Sequence, residues 1–168
     1  PGNVSDITIQ IMYNDHPPGA LDDTHNRDWD IATPDVQRNP MPGANGIVYS
    51  LSVQPDSRTV IAGKFSAFNA VPRYGIARLS QDGTLDHSFL EREGDGIPVT
   101  DRNHNYFIST VTPLPGGKFI VGGNFPSYGG VTRYNVAQIK NDGSLDTSVS
   151  PGIGSVAPNG TIWATAVQ

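Results

Sequence analysis

The sequence predicts an all-β repeat fold, with antiparallel units of three to four strands, two complete units and a partial unit at each end. The first observation is a sixty-residue repeat, in which residues 58–89 match residues 118–149 position by position without a gap. The second is the content of 19 Gly and 14 Pro in 168 residues, which is typical of short strands joined by tight turns. The third is the alternation of apolar and polar residues between these turns. The internal repeat therefore has to be interpreted before any single element.

Residues 1–45 are predicted to form a partial repeat followed by an irregular connection. Residues 4–12 alternate, with Ile7, Ile9 and Ile11 on one side, and this spacing predicts a strand. Residues 23–45 are polar and rich in proline, which indicates an ordered surface connection. Within it, Trp29 occupies the position that Phe89 has in the next unit.

Unit 1, residues 46–105, begins with the most regular alternation in the chain. Residues 46–54 place Ile47, Tyr49, Leu51 and Val53 on one side, which predicts a strand with one strongly apolar face. Further strands are expected at 59–63, at 75–80 and, as a short return strand, at 84–86. The charged residues 90–105 are expected to form a loop.

Unit 2, residues 106–151, repeats this order. Strands are predicted at 106–112, 118–123 and 135–140, followed by a turn at Asp142-Gly143. Residues 152–168 are expected to hold the first strand of a third unit, because 160–168 match 46–54 with Trp163 in the place of Tyr49.

Composition excludes several classes of function. Cysteine is absent, so the chain has neither disulfides nor thiolate metal sites. The net charge is −5 and no basic run interrupts it, which argues against nucleic acid and anionic membranes as partners. No apolar run approaches the roughly 20 residues of a membrane helix, so membrane insertion is not expected.

The repeated elements also resemble a known family. Each unit has a short apolar strand ending in G-x-F, then R-Y, a further strand, and D-G-[ST]-L-D, at the same mutual spacing. This pattern resembles the delta-60 repeat, a bacterial β-propeller-like repeat, over residues 46–150 and, in part, over 4–30 and 152–168. The resemblance implies β-propeller-like blades within a large, secreted or surface-associated, multi-repeat protein. It implies no catalytic residues, because the family has no agreed ones.

The recurring polar residues are interpreted as structural. Asp-Gly supplies the positive φ that a two-residue hairpin turn needs, so the predicted turns are at Asp82, Gly83, Asp142 and Gly143. Arg73 with Asp86, and Arg133 with Asp146, are each thirteen residues apart. We expect each pair to form a latch, meaning a polar contact between strand ends. Ligand carboxylates, or an acid and an electrophile, are the alternatives at these positions.

One loop has oxygen ligands at a spacing that suits calcium. Asp101, Asn103 and Asn105 stand at positions 1, 3 and 5 of a candidate loop, but position 6 is Tyr106 and no Glu follows at position 12. A solvated loop is therefore favoured, calcium is the alternative, and no other cofactor is expected. The four histidines lie in separate loops, which argues against zinc.

Aromatic residues recur at two positions of the repeat. They are Phe65, Phe68, Phe125 and Tyr128. Packing between units is the favoured interpretation, and a sugar-stacking surface is the alternative.

Three classes of function remain. The favoured one is a non-catalytic structural or interaction module of a larger bacterial extracellular or cell-surface protein or assembly. Its partners are other repeats of the same polypeptide or neighbouring copies. The alternative is a module that binds glycans or another ligand through loops 23–45 and 90–105. A hydrolase or lyase is the third, and least favoured, because no unique polar cluster is apparent.

Overall fold

The computed structural model describes residues 43–91, 96–98, 105–149 and 158–168. The strand predicted at 4–12, Trp29 and most of the two long loops lie outside these residues. In chain order the strands are β1 (Ile47–Val53), β2 (Thr59–Lys64), β3 (Ala67–Phe68), β4 (Val71–Pro72), β5 (Ile76–Leu79), β6 (Phe107–Pro113), β7 (Phe119–Asn124), β8 (Ser127–Tyr128), β9 (Val131–Thr132) and β10 (Val136–Ile139). One 3₁₀ turn, at Pro115–Gly117, accompanies them. The prediction of an all-β repeat fold is confirmed.

The two units contain equivalent three-stranded antiparallel sheets. In unit 1 the order is β1-β2-β5, and in unit 2 it is β6-β7-β10. The register of the first pair shifts between Val48 and Ser50 in unit 1, and between Ile108 and Thr110 in unit 2. The β-bulge residues, Tyr49 and Ser109, are therefore sixty residues apart. The two units thus share even this irregularity of the backbone.

A fourth strand was predicted at 84–86, and this prediction is wrong in detail. Only an isolated bridge joins Leu79 to Leu85, as another joins Ile139 to Leu145. The chain turns away after this bridge because Asp86 accepts hydrogen bonds from the backbone and hydroxyl of Ser88. The carboxylate of Asp86 thus accepts the backbone hydrogen bond that a neighbouring strand would accept in a longer β-ladder.

Each unit also has a two-stranded hairpin, β3–β4 or β8–β9, that the sequence patterns did not predict as strands. The turn residues have positive φ: Asn69 (50°) and Ala70 (63°) in unit 1, and Gly129 (55°) and Gly130 (73°) in unit 2. Two adjacent positive φ angles match the right-handed twist of the flanking strands.

Stacking of the two sheets forms the main core. The face of the unit 2 sheet that carries Val111, Val121 and Ile139 packs against the face of the unit 1 sheet that carries Val60 and Ala62. We call these the front face of unit 2 and the back face of unit 1. Complete burial of an aliphatic side chain of this size contributes about 1.5–3 kcal/mol. The contact between the repeats is therefore a large part of the stability of the fold.

The front face of unit 1 is only partly covered. Ile61, Phe65 and Phe68 are buried in a second, smaller cluster. Leu51, which pairs with Ile61 across the sheet, is 64% exposed. The apolar face that the sequence predicts for β1 is therefore divided by the β-bulge: Leu51 lies on the open front face, whereas Ile47 pairs with Lys64 on the back face and the ring of Tyr49 lies 5.4 Å from that of Phe107 in unit 2.

Residues 160–168 were predicted to form the first strand of a third unit, but they form no regular strand. They lie against unit 2, where the backbone of Ile162 donates to the carbonyl of Gly123 at 3.0 Å. In units 1 and 2 the first strand pairs with the strand that follows it. Segment 160–168 instead lies against β6 and β7 of unit 2.

Candidate functional site

The Asp-Gly turns are structural, but their geometry differs from the prediction. Gly83 and Gly143 have φ of 81° and 85°, whereas Asp82 and Asp142 are not among the residues with positive φ. The amide of Gly83 donates to the carbonyl of Ser80 at 2.9 Å. The loop therefore has three residues, with a glycine at its left-handed position. The aspartate contributes through its side chain, which accepts hydrogen bonds from the residue two positions later.

Asp86 is a latch, as predicted, but its partners are not those predicted. One carboxylate oxygen accepts from Arg78 Nε at 2.7 Å and from Arg58 Nη1 at 3.0 Å. The other accepts from the backbone and hydroxyl of Ser88 at 2.9 and 2.6 Å. Burial acts to raise the pKa of Asp86, but the bonds from Ser88 and Arg78 outweigh it and lower the pKa to about 2. A carboxylate with four donors is ill suited to act as an acid or base near neutral pH.

Asp146 repeats this arrangement with one cation and one neutral amide in place of the two arginines. Lys118 Nζ and Gln138 Nε2 donate to one oxygen at 2.7 and 3.0 Å, and Ser148 binds the other through its backbone and hydroxyl. The ammonium of Lys118, with the bonds from Ser148, holds the pKa of Asp146 well below its usual range. Asp146 is 3% exposed but the Lys118 side chain is 41% exposed, so this ion pair lies at the edge of the core and is partly screened by solvent.

Arg73 and Arg133 do not form the predicted contacts with Asp86 and Asp146. Each guanidinium donates instead through Nη1 to the carbonyl of the preceding residue, Pro72 or Thr132, at 2.8 Å. Burial lowers the pKa of Arg73 and the nearby charge of Asp86 opposes this shift, so the two groups are near each other without a direct bond. The acceptor positions of the Asp86 carboxylate are already taken by Arg58, Arg78 and Ser88, which leaves no position for Arg73.

The sequence patterns missed a contact that joins the two units. Arg78, which is 3% exposed, donates through Nη1 to the carbonyl of Asn141 at 2.6 Å and to its side-chain oxygen at 3.1 Å. Its guanidinium also lies 4.9 Å from the ring centre of Phe89. The equivalent residue of unit 2 is Gln138. Arg78 is therefore not among the polar residues that are identical in both units. A charged residue within an otherwise buried, apolar strand was the available signal.

The same boundary is packed around a glycine. A Cβ atom on Gly143 would lie 2.9 Å from Phe89 Cζ and 2.9 Å from Leu90 Cγ. The amide of Leu90 donates to the carbonyl of Asp142 at 2.9 Å. Gly143 thus serves both the turn of unit 2 and the close approach of unit 1.

The calcium prediction is not tested by the structure. Asp101 and Asn103 lie outside the described residues, and the carbonyl of Asn105 accepts from Asn124 Nδ2 at 2.9 Å. Within the described ranges, no group of three His, Asp or Glu side chains is placed to hold a metal ion. No helix in that part of the chain is long and apolar enough to span a membrane.

The recurring aromatic side chains are part of the core. Phe65, Phe68, Phe125 and Tyr128 are 7%, 5%, 1% and 0% exposed, and the hydroxyl of Tyr128 donates to the carbonyl of Gly143 at 2.8 Å. The predicted packing between units is confirmed for Phe125 and Tyr128, which belong to the cluster that spans both units, whereas Phe65 and Phe68 pack in the smaller cluster within unit 1. The sugar-stacking alternative at these four residues is wrong, because a sugar ring has no access to them.

Comparison with known proteins supports the predicted family. A family model described as a domain of unknown function (DUF5122), beta-propeller, matches residues 54–89 and 115–148. Comparison with curated proteins and with solved structures found no significant match. The matched segments hold the second to fifth strands and the Asp-Gly turn of each unit. The two repeats of this chain are therefore members of the DUF5122 β-propeller family, which is the delta-60 type of repeat.

Proposed function

We propose that the chain is a non-catalytic structural and interaction module of a larger bacterial protein that is extracellular or attached to the cell surface. One observation carries this proposal: the carboxylates of the two latches, which recur in both repeats, are fully engaged in hydrogen bonds within the fold. Asp86 and Asp146 each accept four hydrogen bonds from neighbouring side chains and backbone. A catalytic carboxylate needs a lone pair or a proton that it can exchange with substrate.

The stacking of the repeats supports the same role. Each unit uses one sheet face to contact its neighbour, and the core is continuous across the boundary. Repeat proteins built in this way present wide surfaces of fixed shape. The partners of the module are other repeats of its own polypeptide or neighbouring copies, and it works without a cofactor. The extracellular location rests on the resemblance to secreted and surface-associated repeat proteins.

The experiment compares Asp86→Asn and Asp146→Asn with Glu91→Gln, a change at an exposed carboxylate. A structural role predicts a lower midpoint of thermal unfolding for both aspartate variants and an unchanged midpoint for the control. All variants are also assayed for hydrolysis of chromogenic glycosides and esters. A turnover that disappears in Asp86→Asn, while the unfolding midpoint stays the same, contradicts the proposal. Labelling of the chain by antibody on intact bacterial cells tests the location, and a signal only after lysis contradicts it.

Binding of glycans is the second candidate, favoured by the exposed aromatic rings of Tyr49 and Trp163, which are 44% and 68% exposed. Both rings lie against Phe107, with centroid distances of 5.4 and 5.7 Å. Exposed rings of this kind can stack on sugars. A glycan array with the parent chain and Trp163→Ala tests this role, and binding that the substitution abolishes would favour it over the first.

A further inference from the structure

We propose that Asn159 is a site of spontaneous deamidation, and that its conversion to isoaspartate loosens segment 158–168 from unit 2. Asparagine is a chemically labile residue, most of all before glycine, which has no side chain to hinder the attack of its own nitrogen. The chain contains two such pairs, Asn45-Gly46 and Asn159-Gly160. Both asparagines are exposed, so access to solvent does not distinguish them, whereas their hydrogen bonds do. The site is independent of the proposed function.

The reaction needs water and no enzyme. The backbone nitrogen of Gly160 gives its proton to solvent and bonds to Cγ of Asn159, and the bond between Cγ and Nδ2 breaks as ammonia leaves with a proton from water. Water then opens the cyclic imide. Opening at Cγ gives aspartate, and opening at the main-chain carbonyl gives isoaspartate, in which the backbone runs through Cβ and Cγ and is longer by one atom.

The first pair is held against this reaction. The side-chain oxygen of Asn45 accepts from the amides of Ser66 and Ala67 at 2.9 and 3.0 Å, and its Nδ2 donates to Ser66 Oγ at 2.9 Å. Gly46 is confined as well, because a Cβ atom on it would lie 2.1 Å from the carbonyl oxygen of Lys64. Ring closure requires the side chain and the following nitrogen to move together, so these contacts have to open before Asn45 can react.

The second pair is free to move. The side chain of Asn159 and the amide of Gly160 form no hydrogen bond within the part of the chain that the structure describes. Nothing lies within 4 Å of the position of a Cβ atom on Gly160. The fold therefore offers little resistance to ring closure between these two residues.

The site lies inside the contact that fastens segment 158–168 to unit 2. Asn135 Nδ2 donates to the carbonyl of Pro158 at 3.2 Å and to that of Gly160 at 3.0 Å, so its two acceptors flank Asn159. Asn135 is itself fixed, since its Oδ1 accepts from the amide of Phe125 at 3.0 Å. An isoaspartyl link lengthens the backbone between the two carbonyls, and one amide group then no longer reaches both.

The first experiment incubates the full chain at neutral pH in water enriched in heavy oxygen, and follows both asparagines by peptide mass spectrometry. Each rate is divided by the rate at the same residue in guanidinium, which removes the effect of the neighbouring sequence. We expect Asn159 to react at least about tenfold faster than Asn45 in the folded chain on this scale. Equal normalised rates at the two residues overturn the site.

Gly160→Ala is the matched control, because its methyl group has room in the fold and hinders only the attack. It is expected to slow the reaction at Asn159 at least about tenfold and to leave the midpoint of thermal unfolding unchanged. An unchanged rate in this variant also overturns the site, because the nitrogen of Gly160 would then not be the nucleophile.

The second experiment measures the loosening by hydrogen exchange at Ile162, whose amide donates to the carbonyl of Gly123 at 3.0 Å. Chains with isoaspartate are separated by chromatography, and Asn159→Asp serves as the control with the same charge and a backbone of normal length. We expect exchange at least about fivefold faster in the isoaspartyl form than in the parent, and exchange like that of the parent in Asn159→Asp. Unchanged exchange in the isoaspartyl form overturns the loosening. Equal acceleration in Asn159→Asp also overturns it, because the charge and not the longer backbone would be responsible.

Discussion

Replacing Gly143 by Ala measures how closely the two repeats approach each other. The substitution has two costs. The first is the left-handed backbone, since φ is 85° and an L-residue there costs about 1–2 kcal/mol. The second is the contact of the new methyl group with Phe89 and Leu90 at 2.9 Å. Both neighbours are buried, at 0% and 6% exposure, and overpacking of a well-packed core costs about 1–3 kcal/mol.

Gly116→Ala is the matched control, because it has the first cost without the second. Its φ is 77°, and nothing lies within 4 Å of the position of a Cβ atom. The effect of alanine on the unfolded chain is similar in both variants and cancels in the comparison. The expected result is that Gly143→Ala loses about 1–3 kcal/mol more free energy of unfolding than Gly116→Ala.

The assay is equilibrium unfolding in urea, followed by circular dichroism, with the slope m checked for each variant. Leu90→Ala in the Gly143→Ala background completes a double-mutant cycle, and we expect a favourable coupling energy because the smaller side chain makes room for the methyl group. Equal losses in the two glycine variants, with no coupling to Leu90, would refute the close approach of unit 1 to the turn of unit 2.

Three further predictions follow from the same contacts. The folded-state pKa of Asp86 is about 2 and lies below the ordinary value of 3.8, so its contribution to stability is present above about pH 4 and is lost as the pH falls towards 2. The free energy of unfolding measured between pH 2 and 5 is expected to vary less steeply in Asp86→Asn. Arg78→Gln removes the bonds to Asn141 and the buried positive charge beside Asp86, although a glutamine can still donate one bond to the carboxylate as Gln138 does in unit 2. It is expected to cost about 3 kcal/mol, and a loss below about 0.5 kcal/mol in urea unfolding would contradict the bridge between units. Val111→Ala is expected to destabilise the chain by about 1–2 kcal/mol, whereas Leu51→Ala is expected to change it by less than about 0.5 kcal/mol, and equal effects would show that the two faces are covered alike.

The turns and the ion pairs differ in how far apart along the chain the residues that determine them lie. The turns at Gly83 and Gly143 were predictable because the requirement for a left-handed residue lies within four positions of the sequence. The partners of Asp86 and Asp146 were not, because several cations occur within the same unit and their distance along the chain does not decide which one reaches the carboxylate. The structure selects Arg58 and Arg78 in one unit, and Lys118 with Gln138 in the other.

The sequence by itself determined the class of fold, the repeat and the position of the six main strands. These follow from local patterns: alternation along a strand, glycine in a turn and recurrence after sixty residues. Only the tertiary structure decided which sheet face is covered, since β1 and β6 have similar patterns but Leu51 is 64% exposed and Val111 is 6% exposed. The physical reason is that burial of a sheet face depends on the neighbour that packs against it, and a strand's own sequence specifies only that the face is apolar.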